Sequence, residues 1–518
     1  MARPFDFGDV QLDVTAGDER LAHAAEADTP FRIAILGDFS GRAHRGFCET
    51  GAKLANRRAV LVDRDNFDQI LAKLRPQIEL PLDGDSLAVH FTELDDFHPD
   101  RIFERATIFR RLRQMRDRVK DAETFPQVLA EMGLLPAAPP AGPSKPETQP
   151  RVTLADLEQL ARGDLLEQAV AETQGQPAER RPTRAADELH AFVRRIVEPH
   201  LLARADPRQA EMMTALDRAT SAQMRALLHL PDFQALESAW RALFFVVRRV
   251  ETSERLKLYL LDVSKAEMAA DLAAAEDLRS TGVYKLLVEQ TVGTPGAEPW
   301  ALLAANYTFE PTRQDVELLG RLAKVAHAAG APFLAAASPR GLGCESTADL
   351  PHPHEWKPTA HSEDTQAWGA LRKLPETSYV GLALPRFLLR LPYGKETDPA
   401  ELFDFEEMPQ PPVHEDYLWG NPAFACAALL AQAFSKEGWH MRPGTIREID
   451  GLALHAYQEN GESCVKPCAE VLLTEDAAEK ILDQGMMPLA SLKGRDAVRL
   501  IRFQSIADPP SALAGRWS

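Results

Sequence analysis

The stretch Trp300–Ala337 reads WALLAANYTFEPTRQDVELLGRLAKVAHAAGAPFLAAA. Its first part, Trp300 to Phe309, is an apolar run of strand length. Gln314 to Ala329 then carries apolar residues at three- and four-residue spacing and closes on Gly330, as a helix does. Phe333 to Ala337 is a second short apolar run. A strand, a helix and a strand at this spacing suit a parallel crossover, so the segment predicts a mixed α/β fold with a buried sheet.

The same patterns extend in both directions. Phe31–Leu36 (FRIAIL), stopped by GDFSG, and Leu256–Val263 read as buried strands. Ala59–Val62, Leu87–Phe91, Tyr379–Leu384, Leu452–Tyr457 and Glu470–Leu473 read as shorter ones. Helical periodicity marks Phe67–Leu74, Asp96–Lys120, Leu154–Gln174, Ala185–Ala203, Phe233–Val250 and Phe424–Phe434. Within Asp96–Lys120 an apolar stripe runs through Ile102, Phe103, Phe109, Leu112, Met115 and Val119; the opposite, Arg-rich face reads as solvated.

Pro136–Pro150 (PAAPPAGPSKPETQP) holds six prolines and almost no large apolar residue. Such a stretch cannot bury a core and behaves as a semi-rigid spacer. The expected organisation is a small domain over 1–135, the linker 136–150, a helical connecting segment 151–229 and a larger domain 230–518.

Charge and composition exclude several functions. Asp plus Glu number 77 against 59 for Lys plus Arg, a net −18 in 518 residues. That balance argues against nucleic-acid binding, which is built from Lys and Arg. Five cysteines do not make a disulfide framework, which points to a reducing compartment. No apolar stretch reaches the ~18–20 residues of a membrane helix, and MARPFDFGDVQLDV has no hydrophobic signal core. A cytoplasmic protein without membrane insertion is expected.

No catalytic, cofactor-binding or metal site emerges. Gly37–Arg42 follows a strand but lacks the spacing and lysine of a phosphate loop, and its serine is misplaced for a nucleophile elbow. His352, His354 and His361 fall in a Pro-rich stretch, and Cys464 and Cys468 form no paired zinc motif. An enzyme is therefore not expected.

What does stand out is a set of assembly candidates. Phe233, Leu236, Trp240 and Leu243 share one helical face, with Arg241 beside them. Trp and Arg are common interface anchors, although an ordinary core helix has the same pattern. Arg386 and Arg390 lie among apolar neighbours in PRFLLRLP, and such arginines demand carboxylates. Glu406 and Glu407 are candidates on charge alone.

Two parts of the chain resemble the two subunits of the type VI secretion contractile sheath. PFRIAILGDFSGR (Pro30–Arg42), DRDNFD (Asp63–Asp68) and LDDFHPD (Leu94–Asp100) resemble the small subunit, TssB or VipA, over residues about 30–130. LPDFQALESAWRAL (Leu230–Leu243), APFLAAASP (Ala331–Pro339), YVGLALPRFLLRLPYG (Tyr379–Gly394) and FDFEE (Phe403–Glu407) resemble the large subunit, TssC or VipB. YLWGNPAFACAALLAQAF (Tyr417–Phe434) and PCAEVLLTE (Pro467–Glu475) continue that resemblance in family order. The family keeps the two subunits on separate chains, whereas here the spacer joins them. Relative to the family, 251–293 is also shortened.

The resemblance implies sheath-type α/β domains with long interlocking helices, and extended termini that exchange strands between subunits. Phe5–Val14 and Val498–Ile506 are the candidate donated strands. It also implies a bacterial, non-enzymatic subunit of a membrane-docked apparatus, polymerising head-to-tail into a contractile helical tube. The implied partners are other sheath subunits, the inner-tube protein Hcp, baseplate components and the AAA+ disassembly ATPase ClpV. The alternative is a sheath-like adaptor that caps or docks without forming a tube.

Overall fold

The computed structural model describes residues 25–82, 85–121, 123–131, 207–292, 294, 296–344, 346–357 and 363–517. Strands β1 (Phe31–Gly37), β2 (Val60–Val62), β3 (Gln77–Leu82) and β4 (Asp85–His90) precede the spacer. After it come β5 (Leu256–Asp262), β6 (Leu302–Phe309), β7 (Phe333–Ala337), β8 (Val380–Leu384), β9 (Phe387–Leu388) and β10 (Trp419–Gly420). The last are β11 (Glu448–Ile449), β12 (His455–Glu459), β13 (Glu462–Lys466), β14 (Met487–Ser491) and β15 (Val498–Leu500).

Nine of these form one sheet in the order β11-β15-β14-β8-β7-β6-β1-β5-β2. The six strands from β14 to β5 run parallel, while β2, β15 and β11 add antiparallel edges. Central strands covered on both faces should be apolar throughout, and β7 (FLAAA) and β8 (VGLAL) are buried at every position.

Alternation along the strands divides the core. Ala34, Leu36, Leu303, Phe333, Ala335, Leu382 and Leu384 cluster with Val316, Leu319 and Leu322 of the Arg313–Ala329 helix. Residues between them point to the opposite face. The nearly all-apolar Pro422–Glu437 helix contacts β1, β6, β7 and β8, and the Pro231–Arg249 helix packs against it in turn.

The sheet draws on both sides of the spacer. β1 lies between β5 and β6, pairing Phe31–Gly37 with Leu256–Asp262 on one side and Ile33–Leu36 with Leu302–Ala305 on the other. Accordingly, the larger of two compact units takes residues up to 110 and from 217 onward. The smaller unit, 111–216, buries Val119, Phe125, Val128 and Leu129 against Met115, Met212, Met213 and Leu216.

Several elements differ from the sequence expectation. Asp96–Lys120 is not one helix but Leu94–Phe97, Pro99–Arg105, Thr107–Phe109 and Arg110–Lys120. A residue before proline avoids helical geometry, and His98 is extended ahead of Pro99. Ala106 is extended as well. Glu470–Leu473 is not a strand: Glu470 has φ 33° and turns its buried carboxylate onto Arg386. Val498–Leu500 is already paired on both sides, to β14 and β11, and Phe503–Ile506 is buried, so this segment is built into its own chain's fold. Phe5–Val14, the spacer and the expected helices Leu154–Gln174 and Ala185–Ala203 lie outside the described residues.

Candidate functional site

The candidate site is a seam along the Pro231–Arg249 helix, starting with Pro231 in its first turn, where proline is tolerated. Its apolar stripe meets the segment before the spacer. Phe233 sits 5.9 Å from Phe91 and 5.8 Å from Phe97 between ring centroids, both edge-on. Trp240 is edge-on to Phe39 at 5.4 Å and to Phe67 at 5.8 Å, and its Nε1–H donates to the Phe39 carbonyl at 2.8 Å. Phe233, Leu236 and Trp240 are all buried, so the stripe forms core within the chain.

The turn after β1 is shaped to receive that tryptophan. Asp262, at the end of β5, accepts the Phe39 and Ser40 backbone N–H groups and the Ser40 hydroxyl. Gly41 has φ +76°, and a Cβ there would stand 2.5 Å from the Gln77 carbonyl oxygen. Both conditions call for glycine.

Beside the stripe lies a buried ionic lattice. Glu237, with no exposed surface, accepts from Arg241 Nε at 2.6 Å and from Arg390 Nε at 2.8 Å. Arg390 also donates from Nη1 to Glu407 Oε2 at 2.7 Å and from Nη2 to Glu407 Oε1 at 3.0 Å. The Tyr393 backbone N–H adds a third bond to Glu407, at 2.7 Å. Arg241 Nη2 donates to the Tyr393 hydroxyl, which donates to the Phe97 carbonyl. Burial raises the Glu407 carboxyl, but the Arg390 charge and the hydrogen bonds outweigh it and hold it at about 2. Burial pushes the Tyr393 phenol up to about 12.

Of the two candidate carboxylates, Glu407 is the one that pairs with Arg390. Arg386 instead takes Glu470, at 2.6 Å from Nη2 and 3.0 Å from Nε, with Glu415 3.4 Å away. Charge alone could not separate these carboxylates, because Glu470 is 84 residues downstream of Arg386. Glu406 is exposed and accepts from the Lys395 backbone N–H. Glu237 was missed, although it lies four residues before Arg241, a spacing that brings side chains together on a helix.

A second lattice ties the same segments. Arg42, at the end of PFRIAILGDFSGR, and Arg57 both bind Glu49 and the fully buried Glu267. Burial raises the Glu267 carboxyl, but Arg57, Arg42 and two backbone N–H groups lower it to about 2. Charges gathered in this way around a fully buried carboxylate fix geometry, and the chemistry they offer is that of a rigid joint.

A family model described as "EvpB/VC_A0108, tail sheath N-terminal domain" matches residues 210–507. The chain belongs to the type VI secretion tail-sheath family. A second model, "Type VI secretion system, VipA, VC_A0107 or Hcp2", matches 9–126, which supports a fused small- and large-subunit arrangement. The type VI secretion system sheath protein TssC1 of Pseudomonas aeruginosa is 35% identical over 304 residues, 58% of this chain. The match spans 61% of that relative's length.

In this sheath-family chain all eight assembly candidates fall within the tail-sheath match. Their aromatic partners Phe39, Phe67, Phe91 and Phe97 fall within the VipA match. The seam therefore joins the two sheath-type segments. No described helix is long and apolar enough to cross a membrane.

Proposed function

We propose that this protein is a structural, non-enzymatic subunit of the type VI contractile sheath, polymerising into a helical tube around an Hcp inner tube. Contraction of that tube would drive effector delivery, with baseplate components and ClpV as further partners. The observation that carries the reading is β1, a strand of the VipA-like segment hydrogen-bonded between two strands of the tail-sheath segment. One chain then supplies what the family divides between two, as a preassembled building block. The seam, with Phe233, Leu236, Trp240, Arg241, Arg390 and Glu407, would keep that block rigid while neighbours slide between two packings. Arg386, whose side chain is 38% exposed, and Glu406 would face neighbouring subunits.

Negative-stain electron microscopy of the purified chain, alone and with Hcp, tests this. Hollow ridged tubes are expected. Discrete particles, under conditions where two-chain sheaths form tubes, would favour the capping or docking adaptor instead. The 61% coverage of the TssC1 relative is the observation on the adaptor's side. If Phe5–Val14 is donated to a neighbour as an added strand, deleting Met1–Gly17 leaves a folded chain that no longer sediments as polymer. Unchanged sedimentation would remove strand donation from the account.

A further inference from the structure

We propose that a crevice near the amino ends of β1 and β6, beside Arg32 and Trp300, binds an oxyanion: a carboxylate or a phosphate group. The crevice measures about 730 Å³, and its walls include Arg32, Arg57, Arg58, Gln290, Glu298 and Trp300. Trp300 is 2% exposed, and its buried Nε1–H has no acceptor. The buried Nε–H of Arg32 has none either. Both orphaned groups are donors only, so what the site lacks is an acceptor.

The surrounding charges point the same way. The Arg32 guanidinium lies between two rings, 4.6 Å from the Tyr259 centroid and 4.2 Å from that of Trp300. Its nearest carboxylate oxygen, on Glu298, is 3.6 Å away, beyond hydrogen-bond reach. Lys257 Nζ, 3.2 Å from each oxygen, shares that carboxylate with Arg32, whose Nη1 donates to the Glu298 backbone carbonyl and leaves Nε as its orphaned donor. Arg57 is engaged by Glu49 and Glu267 and adds neither a free donor nor net charge. Arg58 is exposed at the rim, and its planar fork of donors matches an oxyanion. With Arg57 neutralised by Glu49 and Glu267, and Glu298 shared by Arg32 and Lys257, the cationic excess that favours an anionic occupant is carried by Arg58 at the rim.

Two sources carry this chemistry: a dissolved anion, or an acidic side chain on a second copy of a chain whose net charge is −18. The inference does not depend on tube formation. Isothermal titration of the full chain with inorganic phosphate, at constant ionic strength against chloride, should show one saturable site. Arg58→Ala and Trp300→Phe should each weaken it at least tenfold, with circular dichroism showing both variants folded. Sedimentation velocity separates the sources. If a second copy's carboxylate is the occupant, phosphate and Arg58→Glu both reduce self-association; if a dissolved anion is, phosphate binds and leaves association unchanged. Absence of both saturable binding and any phosphate effect on association overturns the proposal. So does binding that survives both substitutions.

Discussion

Arg390 is 10% exposed and faces two carboxylates, Glu237 and Glu407, that are themselves out of water. Removing one partner of such a group strands the others. Arg390→Ala should therefore lower unfolding stability by about 3–5 kcal/mol, read from the urea midpoint. A loss below about 1 kcal/mol would mean the lattice is dispensable. The same groups set an acid limit. Glu267 and Glu407 are lowered from 4.5 to about 2 in the folded chain, so their contribution is complete above about pH 4.5. It is lost as pH falls toward about 2. Thermal melts from pH 7 to pH 2 should show stability falling through that window. The difference between the wild type and Glu407→Gln should shrink across it, whereas a constant difference would argue against the low Glu407 value.

At the scale of elements, the Pro231–Arg249 helix was readable from its stripe, but its partners were not. Periodicity reports which face is buried and is silent on what covers it. The covering rings, Phe39, Phe67, Phe91 and Phe97, lie more than 130 residues upstream. Elements made of one continuous apolar run, such as β7 at Phe333–Ala337, were legible to the residue. Asp96–Lys120 was not, because an unbroken apolar stripe hid the extended backbone at His98 and Ala106. Glu470 was misread because a side-chain demand, ion pairing with Arg386, outweighed strand propensity. One substitution probes the joint between segments. Trp240→Phe keeps a six-membered ring but removes the pyrrole ring and its donor to the Phe39 carbonyl, and should cost about 1–3 kcal/mol in denaturant unfolding. No measurable loss would show that ring packing alone holds the turn.

For the whole molecule, the mixed α/β class and the family were legible in the sequence, because local runs and short motifs carry both. Strand order was not. β1 and β5 are separated by more than 200 residues, and nothing in FRIAILG states that its neighbours are LKLYLLD and LLAANYTF. The central structural claim is that the two sheath-type segments share one sheet, with β1 in its interior. Introducing a protease site within 136–150, cleaving the folded chain and running the product on size exclusion tests it directly. The account predicts that the two pieces co-elute and melt in one transition whose temperature rises with concentration. Two separately eluting, separately folded pieces would contradict it.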